Sequence, residues 1–207
     1  LDHIKTKKII NNPTSIRNVS EKFYSTKFLR YMPETIFTKN IKQISSFLKK
    51  NKKIVVKPIH GYAGKNIIYI NKTLNQGILK KYIKKFDHVM VQKYLNKVQE
   101  GDKRVFIING KVKGAIRRLP KKGSILSNIS QGGVALKTKL NSRELKISKI
   151  VANSLKKSGI FFAGIDLVGG YLIGDINVTS PTGLPQFKNL TGKNLAIDFW
   201  NELEKLK

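Results

Sequence analysis

VVKPIHGYAGKNIIYI (residues 55–70) joins two apolar, strand-like runs through a positively charged loop that carries two glycines. A Walker phosphate loop needs G-x-x-x-x-G-K-[ST] between a strand and a helix. Here Gly61 and Gly64 stand too close together, Asn66 follows Lys65, and a second strand comes next. A Rossmann fingerprint fails for the same reason. Two readings remain open. One is a plain hairpin. The other is a hairpin whose glycine-bearing tip lets backbone N–H groups approach a phosphate, with Lys57 adding a fixed positive charge at the strand end.

Outward from this loop the chain alternates strand-like and helix-like segments. Residues 11–29 read as a turn and then a helix, with Ser20 as N-cap and Phe23, Lys27 and Phe28 at helical spacing. Residues 32–38 read as a strand, and 40–50 as an amphipathic helix with Ile41, Ile44, Phe47 and Leu48 on one face. Strands are expected over 53–57 and 66–70, a helix over 74–86, and a strand over 88–95 with Val89, Val91 and Tyr94 turned inward. Residues 103–110 and 111–120 form a hairpin around Asn109–Gly110, a strong local turn signal. The clearest helix covers 142–159 and is closed by Gly159. Residues 160–169 and 171–178 read as paired buried antiparallel strands, and 191–207 as a C-terminal helix. This order of helices and antiparallel strands predicts an α+β protein in two lobes.

Composition narrows the function. The 207 residues suffice for one large domain or two small ones, and the 40% hydrophobic content is ordinary for a globular chain. The charge is not ordinary: 41 Lys and Arg against 12 Asp and Glu leave +29. Such an excess suits a polyanionic partner, whether nucleic acid, acidic membrane or a phosphate-rich ligand. The lysines are scattered among abundant Ile and Asn, however, which reads as compositional bias. With no cysteine, disulfides, thiolate zinc sites and cysteine nucleophiles are excluded. The start, LDHIKTKKII, has no signal-peptide core. Residues 159–174, the most apolar stretch, are shorter than a membrane span and are broken by Asp166 and several glycines. The chain begins without an initiator Met and reads as a fragment.

Two polar sets interrupt the apolar strands of the second half. Asp166, Asp175 and Asn177 lie on neighbouring strand-like segments, and Asp175 and Asn177 share one face because they are two apart. Buried carboxylates are costly unless paired or bound to a cation. Two carboxylates and an amide oxygen are hard ligands that suit Mg²⁺ beside phosphate, although two loop-end aspartates bonded to backbone N–H groups would look the same. EGDKRVF (100–106) adds Asp102 and Arg104, and AIRRLP (115–120) adds Arg117 and Arg118 on opposite faces of a strand. One arginine of each set could face an anionic site, with Arg117 the solvated one. His3, His60 and His88 have no catalytic role in this reading.

A phosphate loop between antiparallel strands, a later acid and a D…D-x-N set resemble the ATP-grasp superfamily. The stretches INNPTSIRNVSEK, VVKPIHGYAG, EGDKRVFIING, RRLP, SNISQGG, GIDLVG and INVTSPTG resemble the serial motifs of bacterial glutathione synthetases, in order across essentially the whole chain. NVTSPTG is the most family-specific. The resemblance implies an ATP-grasp fold, with two lobes of antiparallel sheets and flanking helices clamping ATP. It covers only the ATP-grasp portion. Residues 1–18 would connect to an absent N-terminal domain, 19–91 would form the small lid subdomain, and 92–207 the large subdomain with the metal site. It also assigns Lys22 and Lys57 to the ATP phosphates and Gly61, Tyr62, Ala63 and Gly64 to a lid over them. Lys93, Tyr94 and Leu95 would be the adenine hinge, with Asp102 near the ribose. Arg104 and Arg118 would face the phosphates and the reacting carboxylate. Asp166, Asp175 and Asn177 would hold Mg²⁺, with Mn²⁺ as a substitute, and Asn128, Gly132 and Gly133 would belong to a loop closing over the acceptor.

The implied reaction is ATP-dependent joining of γ-glutamylcysteine and glycine through an acyl phosphate, in the cytoplasm, by a homo-oligomer of the full-length protein that binds no specific nucleic acid and no membrane. Three positions depart from the family pattern. Asp175 stands where Glu is usual, with one residue inserted before it. Leu126 stands where an arginine helps bind the peptide substrate, and Ala63 replaces one residue of the lid's usual GMGG. Leu126 favours a different ATP-grasp ligase, such as a glutamate-adding enzyme, and NVTSPTG opposes that. A nucleic-acid-binding module predicts clustered basic and aromatic residues, which the sequence lacks. An ATP-binding portion that does not turn over alone is a further alternative.

Overall fold

The computed structural model describes residues 9–61, 64–121 and 132–206. Two antiparallel sheets organise it. The first has the order β1–β4–β2–β3, from β1 (Thr35–Thr38), β2 (Lys53–Pro58), β3 (Ile68–Asn71) and β4 (Val89–Lys93). Helices α2 (Ile41–Asn51) and α3 (Gln76–Phe86) pack on it. Their Ile44, Phe47, Leu48, Leu79 and Tyr82 form one core with Ile54, Val56, Val89 and Val91. The side-chain oxygens of Asn40 and Asn75 accept the orphan N–H groups of Lys42 and Ile78 and so start both helices.

The second sheet has the order β7–β6–β5–β8–β9, from β5 (Asp102–Ile108), β6 (Lys111–Leu119), β7 (Val134–Lys137), β8 (Phe162–Val168) and β9 (Tyr171–Asn177). Asn109 and Gly110, with φ of 48° and 71°, join β5 to β6. Positive φ at both central residues is what a type I′ hairpin turn demands. Helix α4 (Ser142–Lys157) covers one face, placing Ile147, Val151 and Leu155 against Val105, Ile107 and Ile165. Asn141 and Glu144 form a capping box at its start. On the other face Phe106, Ile108 and Ile116 pack under α5 (Leu184–Thr191) and α6 (Leu195–Glu204). Strand alternation puts Arg104 on the face of Phe106 and Arg118 on the face of Ile116. The apolar face therefore continues into a charged one.

Four local expectations need correction. Where a turn was expected ahead of Ser20 there is a short helix α1 (Pro13–Asn18), capped by Asn12, which accepts the Ser15 amide, and Ser20 caps no helix. Pro13 pre-sets the first turn and has no N–H to satisfy, so the helix begins earlier. Residues Phe23–Tyr31 are 3₁₀-helical without a side-chain cap. The C-terminal helix starts at Leu195, where the Asn194 side chain accepts from Ala196. The strand β7 and the helix α5 had no counterpart in the sequence reading. Val19, Tyr24, Phe28 and Met32 pack into the core of the five-stranded sheet.

Candidate active site

Register alone pairs the charges on the five-stranded sheet. Arg104 lies opposite Asp166, and Arg118 lies opposite Asp102. Arg104 donates from Nε to Asp166 Oδ1 at 2.5 Å and from Nη2 to Oδ2 at 2.8 Å. Arg118 donates from Nε and Nη2 to the two oxygens of Asp102, both at 2.7 Å. The Arg118 Nη2 also lies 2.9 Å from Asp166 Oδ2, which links the pairs into one network. All four residues are buried. Such bidentate, charge-assisted bonds fix the guanidinium planes. Burial would raise the Asp166 pKa, but Arg104 and Arg118 overcome it and hold the carboxyl at about 2. Gly164 gives Arg104 its path, since a Cβ there would stand 2.9 Å from Arg104 Cδ and 3.2 Å from Pro181 Cβ.

Strand β9 faces this network from the sheet edge. Its pairing with β8 shifts register between Ile165 and Leu167, and Gly174 takes a φ of 87° there. Between these pairs Asp166 alone faces Ile173, Gly174 and Asp175, a bulge that bends the strand and re-aims its side chains. The positive φ of Gly174 disfavours any side chain there, and a Cβ would in addition push the end of the Met90 side chain aside.

The two lobes meet at Asp175. Lys57, on β2 of the four-stranded sheet, places Nζ 3.4 Å from Asp175 Oδ2 and donates to the Ile173 carbonyl at 3.0 Å. Lys22 places Nζ 3.5 Å from Asp175 Oδ1 and donates to the Gly61 carbonyl at 2.8 Å. Both lysines are buried. Although burial raises the Asp175 pKa, Lys57 and then Lys22 bring it below the ordinary carboxylate value. Segment 57–61 therefore stands directly over 173–175.

One site residue escaped the sequence reading. Glu21 has its Oε1 3.5 Å from Lys22 Nζ, and its carbonyl accepts the Ile176 amide at 3.2 Å. Burial, with the neighbouring Asp175 and Asp166 charges and against Lys22, raises its carboxyl to about 6. Its only signal in the sequence was adjacency to Lys22.

The remaining assigned positions are more dispersed. Lys93, Tyr94 and Leu95 leave the end of β4. The Lys93 and Tyr94 amides bond to the carbonyls of Glu34 and Lys53 at 2.9 and 3.0 Å. Tyr94 is half-buried, not the inward position expected, and its ring lies 4.6 Å from that of Tyr69. Asp102, assigned to the ribose, gives both carboxylate oxygens to Arg118. Gly64 has a φ of 73°, and Gly132, at 86°, is exposed beside half-buried Gly133 before β7. Arg117 points away from Arg118, half-buried, with no partner for its Nε among the described residues. Tyr62, Ala63, Leu126, Asn128 and His3 lie outside the described residues. The cavity lined by Ser45, Leu48, Lys49, Lys52, Lys72 and Leu74 is formed by α2 and the β3–α3 connection, apart from this cluster.

The donor chemistry fits a hard divalent cation. Asp175 and Asn177 share a face of β9, both half-buried, and Asn177 pairs across to Gly164 beneath Arg104. The ammonium contacts of Asp175, at 3.4 and 3.5 Å, are longer than strong charge-assisted bonds and leave its oxygens loosely held. Among the described residues no three His, Cys, Asp or Glu converge on a metal site, and the Asn177 amide oxygen is the further hard donor on the face of Asp175.

A family model described as prokaryotic glutathione synthetase, ATP-grasp domain, matches residues 21–192. The chain belongs to that family. Similar proteins named glutathione synthetase include one from Mesorhizobium japonicum, 37% identical over 95% of this chain and 63% of its own length. Another, from Buchnera aphidicola subsp. Baizongia pistaciae, is 38% identical over 95% of this chain and 62% of its own. The chain thus spans under two thirds of these relatives. The fold is that of ATP-grasp ligases. D-cycloserine synthetase DcsG superposes with a TM-score of 0.73 at 17% identity, covering 97% of this chain and 74% of its own. A D-alanine–D-alanine ligase from Bacillus anthracis superposes with a TM-score of 0.64 at 17% identity, covering 94% and 69%.

Proposed function

We propose that the protein of this chain is an ATP-dependent carboxylate–amine ligase that joins γ-glutamylcysteine to glycine. The observation that carries the reading is the convergence at Asp175, where Lys57 of one sheet and Lys22 beside it reach the acidic strand of the other. Family membership over 21–192 supports the same chemistry. In this reading the γ-phosphoryl group of ATP passes to the carboxylate of γ-glutamylcysteine, giving an acyl phosphate and ADP. The glycine amine then attacks the acyl carbon and loses a proton, and phosphate leaves. Transfer between two anions needs neutralised charge. Lys22 and Lys57 hold the triphosphate, with residues 61–64 above it. Arg104 and Arg118 oppose the charge that develops on the transferred group. Lys93, Tyr94 and Leu95 receive the adenine. A divalent cation such as Mg²⁺ or Mn²⁺, held by Asp166, Asp175 and Asn177, would neutralise phosphate oxygens. Asn128, Gly132 and Gly133 lie in the segment that shields the acyl phosphate from water.

In this reading residues 1–18 serve as connector, 19–91 hold the lid side and 92–207 the cation side, with Val19, Tyr24, Phe28 and Met32 of the lid-side range packed on the sheet of the cation side. The intact protein is read as a cytoplasmic homo-oligomer whose partners are small molecules. No helix among the described residues is long and apolar enough to cross a membrane. Leu126, in place of a family arginine, favours a second reading with another acceptor, such as a glutamate-adding ligase. Phosphate release from ATP separates the two. Release that requires γ-glutamylcysteine and glycine together upholds the first reading, and release with glutamate in place of glycine upholds the second. Calorimetry of ATP with and without Mg²⁺, repeated on Asp166→Asn, tests both, because equal binding with and without metal overturns the site.

A further inference from the structure

Asp166 has two oxygens, and both are taken. Arg104 holds each of them, at 2.5 and 2.8 Å, and Arg118 adds a contact to Oδ2 at 2.9 Å. The two arginines are not equivalent. Arg118 keeps a second bidentate partner in Asp102, with both bonds at 2.7 Å, whereas Asp166 is the one carboxylate that Arg104 bonds among the described residues. These three contacts take most of the roughly four acceptor sites of the carboxylate, and a cation at ~2 Å would press against the like-charged Arg104 guanidinium in a buried site, so the two compete for Asp166. We propose that Arg104 and a divalent cation are alternative partners of Asp166, and that Asp102 is the positioning residue that keeps Arg118 in place through the exchange. This rests on the ligase reading above and deepens it.

The stem of Arg104 lies over Gly164, where the absent Cβ leaves room for the side chain to slide instead of being walled in. Released from Asp166, the guanidinium would stay on the buried face around Gly164, whose register partner is Asn177 and which Pro181 flanks. An anionic ligand that arrives with the cation is what can satisfy it there. Cation and anion would therefore load together: the cation takes Asp166, and the freed Arg104 takes the anion. Arg118 loses one contact, keeps two, and marks a fixed point.

The test uses the intact protein with Mn²⁺ as probe, its free concentration read by electron paramagnetic resonance. Without nucleotide, Arg104→Lys should bind Mn²⁺ about tenfold more tightly than wild type, the equivalent of one lost charge-assisted hydrogen bond. Arg118→Lys should gain less, since Arg104 still claims Asp166. Equal affinity of wild type and Arg104→Lys, or a larger gain in Arg118→Lys, overturns the exchange. Wild type that holds no Mn²⁺ even with a non-hydrolysable ATP analogue overturns the ligase reading as well, so the two failures are distinct. Nitrogen-15 NMR of wild type avoids any folding defect of the variants. On adding Mg²⁺ with the analogue, the Arg104 Nε–H resonance should shift and lose protection from solvent exchange while that of Arg118 keeps both. Retention of both resonances unchanged also overturns the proposal.

Discussion

Gly164 is a glycine for the sake of its neighbour. Its φ is not in the left-handed region, so backbone freedom is not the reason; the reason is the 2.9 Å that a Cβ would leave to Arg104 Cδ. Gly164→Ala should leave the strand intact, displace Arg104 and lower kcat about tenfold or more with a smaller effect on Tm, read by steady-state kinetics beside a thermal melt. Glu21 gives a pH signature. Its carboxyl sits at about 6 in the fold against 4.5 as a free group, so the folded state prefers it protonated. Its ionisation therefore weakens the fold above about pH 6, and that cost disappears as pH falls through the window from about 6 to 4.5. Glu21→Gln should be more stable than wild type by roughly 1–2 kcal/mol at pH 8, with the difference gone below pH ~4.5, measured by denaturant unfolding across pH. At this scale the placement of Asp166, Asp175 and Asn177 on two adjacent strands was legible, because a carboxylate or amide inside an apolar strand declares itself. The bond of Asp102 to Arg118 was not, because it depends on which residue of β6 stands opposite, and periodicity within one strand carries no register.

Among the elements, β9 is irregular at one place only. Its turn from β8 closes tightly through Gly169 and Gly170 between Val168 and Tyr171, and the pairing breaks at a bulge around Gly174. Gly174→Ala should cost about 1–3 kcal/mol by forcing a side chain into the left-handed region and against Met90, and should loosen the Lys57 contact with Asp175. Chemical denaturation reads the first effect and ATP affinity the second. Asn11 staples the chain ahead of α1 to the ends of two strands. Its amide donates to the Phe162 and Val178 carbonyls at 2.8 and 2.6 Å, and its oxygen accepts the Phe161 and Phe162 amides, both at 2.8 Å. Asn11→Ala strands four polar groups and should lower stability by about 3 kcal/mol or more, seen in the unfolding midpoint. The long helices α2, α3 and α4 could be read from their period, and the β5–β6 hairpin from Asn-Gly. Strand β7 and helix α5 could not. Four half-exposed residues and one eight-residue helix behind a Ser-Pro-Thr-Gly loop carry too few periods to stand out, and both persist because the sheet and Phe106 give them something to cover.

For the whole molecule the net charge of +29 sets a solution property. Duplex DNA should be retained non-specifically at about 50 mM salt and released by about 200 mM, because scattered lysines bind polyanions only through counterion release. A filter-binding salt titration measures it. The two-lobe α+β architecture and the character of each site residue were determined by the sequence itself, since side-chain alternation, helix period, Asn caps and the Asn-Gly turn are local properties. Only the tertiary structure decided who meets whom: Lys57 and Lys22 on Asp175 across two sheets, Arg104 on Asp166, and Asp102 spent on Arg118. Those partners follow from strand register and from the packing of one lobe on the other. Both are sums over many distant contacts, which no single stretch of chain records.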